Sequence, residues 1–83
     1  MGHKIFVKRY FNLSRTHIAY LRFILESYDG LAFVRTLDPR QAVVEIGYPQ
    51  LRSRDAEELI QALGKEIDMT ELAEIPRDIY QPL

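Results

Sequence analysis

Leu31-Ala32-Phe33-Val34-Arg35-Thr36-Leu37-Asp38-Pro39-Arg40-Gln41-Ala42-Val43-Val44-Glu45-Ile46-Gly47-Tyr48 contains two short β-rich runs, Leu31 to Leu37 and Ala42 to Tyr48, on either side of a four-residue break. Proline presets the backbone angle that a tight turn needs, so Asp38-Pro39-Arg40-Gln41 reads as the turn of a hairpin. The runs are therefore the second and third strands. Asp29-Gly30 closes whatever precedes them, since glycine accepts the left-handed conformation of a helix C-cap, and Pro49 stops the third strand.

On the N-terminal side lies a helical pattern. Ser14 suits an N-cap, and the helix runs to about Tyr28 with Ile18, Leu21, Ile24, Leu25 and Tyr28 on one stripe. Arg15, Arg22 and Glu26 gather opposite, with Arg22 and Glu26 spaced to pair. A second apolar strip, Ala19, Tyr20 and Phe23, lies between the two. Before the helix, Lys4 to Leu13 alternates as a strand does, with Ile5, Val7, Phe11 and Leu13 on one side and Phe6, Lys8, Tyr10 and Asn12 on the other. Arg9 interrupts the apolar side.

Beyond the hairpin, from about Ser53 or Asp55, Ala56, Leu59, Ile60, Leu63 and Ile67 fall within one narrow helical arc, and every other face is polar. Residues 68–83 alternate weakly and carry Pro76 and Pro82, so a short fourth strand or an extended arm is expected there. The order β-α-β-β-α(-β) is that of an α+β, ferredoxin-like split unit with both helices on one face of an antiparallel sheet. One domain over residues 1–83 is expected, with its core in residues 4–67. The helix-free sheet face should carry Phe6, Lys8 and Tyr10 from the first strand and Val43 and Glu45 from the third.

The chain has 83 residues, 47% hydrophobic and 28% charged, which allows one core and leaves a domain of this size marginal without outside help. There is no cysteine, which removes disulfides, thiolate metal sites and thiol catalysis together. The net charge of -1, with basic and acidic residues interleaved, provides no field for phosphate backbones or anionic lipid. No apolar run is long enough to cross a bilayer and Met1-Gly2-His3-Lys4 leads straight into a strand pattern, so a cytoplasmic address without membrane contact is expected.

Catalytic and metal chemistry find little to stand on. His17 lies on the first turn of the first helix at the edge of the core stripe, and no acid one turn away would orient it. The glutamates of the second helix spread round its solvent side, and neither a metal-ligand spacing nor a glycine-rich phosphate loop is present. A non-enzymatic protein with no metal or cofactor is expected. A sheet of this plan with Phe6 and Tyr10 exposed invites an RNA-binding reading, but strand three lacks the basic and aromatic signature such domains carry and has Glu45 at its centre.

The element order also resembles the regulatory domains of the ACT type, which bind amino acids at a dimer interface. Those domains place a glycine between the first strand and helix, where this chain has Leu13-Ser14-Arg15, so no ligand residue carries over. A small anionic ligand, a carboxylate or phosphate, would be favoured if Arg9 and Arg35 point into a cleft; the competing expectation is that both lie on the open sheet edge in water. The segment from Ile18 to Ala32, followed by Val34-Arg35-Thr36-Leu37-Asp38-Pro39, resembles a family of short bacterial proteins catalogued as domain of unknown function 4911. That resemblance implies a bacterial, cytoplasmic source and no defined activity.

What the residues favour is self-association, as a homodimer, through apolar surface left over once the core is filled. Two surfaces compete for that role: the helical strip of Tyr20 and Phe23, and the open sheet face with Phe6, Tyr10 and Val43. The competing expectation is that Tyr20 and Phe23 pack under the C-terminal arm against Ile75, Ile79 or Tyr80.

Overall fold

A computed structural model describes residues 5–76. Expectations for Lys4, Ile79, Tyr80 and Pro82 lie outside the described residues. The elements run β1 Phe6–Leu13, a 3-10 turn Arg15–His17, α1 Ile18–Glu26, β2 Phe33–Asp38, β3 Val43–Pro49, a second 3-10 turn Gln50–Arg52, α2 Ser53–Glu66 and β4 Met69–Leu72. The strands form one sheet in the order β2-β3-β1-β4, with every neighbouring pair antiparallel. This is the split β-α-β-β-α-β plan, and the tail supplies a true fourth strand.

Both helices cover the same sheet face. Phe11 and Leu13 of β1, Val34 of β2, and Val44, Ile46 and Tyr48 of β3 meet Leu21 and Leu25 of α1 and Ala56, Ile60 and Leu63 of α2 in one core. Strand alternation makes this possible, because residues two apart share a face and residues one apart do not. Leu21 and Leu25 are fully buried, and each contributes roughly 1.5 to 3 kcal/mol by leaving water.

Three local expectations are corrected. Ser14 does not cap with its hydroxyl, which bonds Thr16 Oγ1 at 2.9 Å; its carbonyl instead accepts from His17 N at 2.9 Å, closing a 3-10 turn that delays the α-helix to Ile18. Tyr28 lies beyond α1 and is exposed, because the chain turns at Gly30, whose φ of 72° is in the left-handed region. Arg22 donates to Thr36 Oγ1 at 3.2 Å, across to β2, in place of the expected pairing with Glu26.

The hairpin turn is set by Asp38 as much as by Pro39. Asp38 Oδ1 accepts the backbone N–H groups of Arg40 and Gln41 at 2.9 and 3.3 Å, in the manner of an Asx turn. A register shift between Thr36 and Asp38 accompanies it, and Ala42 takes a positive φ of 56°. Ala42 O then accepts from Leu13 N at 3.1 Å, which ties the turn to the end of β1.

Candidate interaction site

The helix-free face is built from the strand positions that alternate with the core. By register, Tyr10 lies opposite Glu45 on one side and Leu72 on the other, and Glu45 lies opposite Arg35. The next rank in one direction is Asn12, Val43 and Asp38, and in the other Lys8, Gly47 and Phe33. Phe6 stands beyond Lys8 and packs edge-on against Phe33, with ring centroids 6.0 Å apart and planes at 65°. Gly47 makes this possible: a Cβ there would clash with the Phe33 ring. The two rings remain 43% and 39% exposed.

The middle of this face is more closed than the alternation suggests. Glu45 is only 3% exposed, because Arg35 lies over it with Nε 3.2 Å from Oε1. Its charge is thus compensated within the face. Burial, reinforced by the nearby Glu45 charge, pushes the Tyr10 hydroxyl above its ordinary value. Val43, expected as a contact residue, is on the predicted face but only 2% exposed, so it packs within its rank between Asn12 and Asp38 and offers no free surface.

Arg9 is on the other side of the sheet. Its Nε and Nη2 donate to Glu71 Oε2 and Oε1 of β4 at 2.9 and 2.7 Å, and its guanidinium lies 5.5 Å from the centroid of the Phe11 ring. These hydrogen bonds hold the Glu71 carboxyl below the usual carboxylate range. Beside this pair, the buried Tyr48 hydroxyl donates to Glu57 Oε2 of α2 at 2.7 Å. Arg9 and Arg35 therefore stand on opposite faces, each engaged by its own carboxylate, and form no common anion cleft.

The apolar strip of α1 divides in two. Tyr20 turns toward α2, where its hydroxyl donates to Glu66 Oε1 at 2.7 Å, a bond that raises its pKa. Phe23, 67% exposed, lines an open groove on the β2 side together with Ile18, Ala19 and Pro39. His17 is half-buried, and its Nδ1 has no hydrogen-bond partner among the described residues. No group of three potential metal ligands occurs among the described residues, and no helix there is long and apolar enough to cross a membrane.

Phe33 and Gly47 were missed as members of the open-face site. A signal was available: Phe33 shares strand parity with Arg35, and Gly47 shares parity with Glu45, so both belonged on that face once the hairpin was drawn. Their direct opposition depends on register, which the bulge near Asp38 makes difficult to count from the turn.

A family model described as Domain of unknown function (DUF4911) matches residues 11–67. No curated protein and no solved structure matches the chain.

Proposed function

We propose, from the premise that this chain belongs to the family described as a domain of unknown function (DUF4911), that it is a non-catalytic interaction module which self-associates through its helix-free sheet face. The observation that carries this reading is the Phe6–Phe33 pair, two packed aromatic rings with Phe33 seated over Gly47, on the face opposite α1 and α2, each still substantially exposed. Aromatic side chains of this kind supply large apolar area with few rotatable bonds to fix, which suits an anchor. Lys8, beside Phe33 across Gly47, gives the anchor a polar border.

Size limits the strength of such a contact. Four strands about 4.8 Å apart and roughly seven residues long give a face of ~450 Å². A stable interface takes about 800 Å² from each partner. The face therefore supports a weak, reversible dimer, anchored by Phe6 and Phe33 at one end of the face with Tyr10 nearer its middle.

Sedimentation across a concentration series tests this. The chain should be monomeric at low micromolar and dimeric near millimolar concentration, with Phe6→Lys and Phe33→Lys each shifting the curve toward monomer. A monomer throughout would overturn the proposal. So would saturable binding of single-stranded RNA to the same rings, which would assign the face to nucleic acid.

A further inference from the structure

We infer that the β2 edge of the sheet, with the groove beside it on α1, receives an extended segment of a partner protein in which two carboxylates bracket an apolar side chain. This surface shares the β2 strand with the sheet face discussed above but uses its outer edge and its helix side.

Three observations converge on it. First, β2 is an edge strand, paired with β3 alone among the described strands, so its outer side is the place where another strand can add. The register shift at Thr36/Asp38 ends the regular edge, which leaves Phe33 to Thr36 as the stretch a new strand would follow. Secondly, α1 and the hairpin enclose an open groove of ≈ 540 Å³ next to that stretch, with Ile18, Ala19, Phe23 and Pro39 as its apolar lining. A strand added to β2 would send every second side chain to the helix side of the sheet, where this groove lies.

The third observation is charge. Arg15 and Arg22 also line the groove, both exposed, against a single carboxylate, Glu26. The Arg22 guanidinium lies over the edge itself, donating to Thr36 Oγ1 at 3.2 Å. Arg35 adds nothing to this border, because it lies over Glu45 on the helix-free face, and Arg40 lies 3.8 Å from the buried Asp38 carboxylate, so the groove's basic character rests on Arg15 and Arg22. The chain's near-neutral total hides this asymmetry: residues 53–76, which include β4 at the opposite edge of the sheet, hold seven acidic residues and two basic ones.

Spacing fixes the pattern of the partner. Arg15 and Arg22 are seven residues apart, ~10 to 12 Å along the helix. Positions i and i+4 of a strand point the same way and are ~13 Å apart. Flexible arginine side chains cover that difference, so an acid at i and another at i+4 can meet the two arginines while an apolar residue at i+2 enters the groove between them.

The test uses the whole chain and a capped pentapeptide, glutamate-threonine-leucine-threonine-glutamate, followed by amide NMR shifts. The expected result is saturable shifts at Ala19, Phe23 and residues 33–36 that weaken as salt is added. A lysine version of the peptide, and the Arg15→Glu/Arg22→Glu protein, should each bind at least about tenfold more weakly. Phe6→Lys should leave peptide binding intact while weakening self-association, which separates this inference from the preceding proposal. No saturation up to millimolar peptide, or equal binding of the lysine version, would overturn it. So would salt-sensitive self-association of the unliganded chain abolished by the double arginine variant, because the occupant would then be a second copy.

Discussion

The two helices lie on the same face of the same sheet and use their sequences differently. α2 is strongly one-sided: Ala56, Ile60 and Leu63 are buried, and the remaining faces are almost wholly polar. α1 buries Leu21 and Leu25 with equal completeness, yet leaves Phe23 and Tyr20 substantially exposed outside the core. For α2, core packing accounts for every apolar residue of its stripe. For α1 it does not, and the surplus marks a surface rather than a structural need.

Large effects on stability should be symmetrical between the helices. Leu25→Ala in α1 and Ile60→Ala in α2 each remove a buried branched side chain and are expected to cost about 2 to 5 kcal/mol, read by urea unfolding. If Leu25→Ala proved nearly neutral, α1 would not share the core with α2 as described. An intermediate effect belongs to the polar tie between sheet and α2. Tyr48→Phe deletes the hydroxyl that bonds Glu57 and should cost about 0.5 to 1.5 kcal/mol in the same assay.

The asymmetry appears in the surface variants. Phe23→Asp should change stability by less than about 0.5 kcal/mol, because the ring is already mostly in water. It should also leave the sheet-face dimer intact. Loss of the dimer on Phe23→Asp would transfer self-association from the sheet to α1.

The smallest effect concerns pH. Glu71 has a lowered pKa in the folded chain, so the Arg9–Glu71 bridge contributes its stability fully above the ordinary carboxylate range and loses it as the pH falls through the lowered value. Both side chains are partly exposed, which limits the contribution to less than about 1 kcal/mol. Glu71→Gln should remove this part of the acid-induced loss of stability, leaving a shallower stability curve below about pH 4.5. An unchanged acid limb would mean the bridge does not hold β4 in solution.

Much of the fold was legible because it depends on local period. Alternation in residues 5–13 assigned Phe6, Lys8 and Tyr10 to the face opposite Phe11 and Leu13, and the helical arc of Ala56, Ile60 and Leu63 identified the buried side of α2. The candidate sites were legible only in part. Alternation assigned Val43 and Glu45 to their face but could not show that both are covered there, since Arg35 reaches over Glu45 from the next strand. Helical spacing suggested Arg22 with Glu26, whereas β2 supplied Thr36 as a competing partner from outside the helix.

By itself, the sequence determined the order of the elements from the first strand to the second helix, the parity of those strands and the buried arc of α2, because these follow from side-chain period and from turn residues within a few positions. Only the tertiary structure decided which surfaces exist. The pairing of Arg9 with Glu71 spans 62 residues, and that of Tyr20 with Glu66 spans 46. The aromatic pair over Gly47 needs three strands in register, and the arginine-lined groove needs α1 set beside an edge strand. Such contacts depend on where the sheet brings distant segments together, and no local period carries that information.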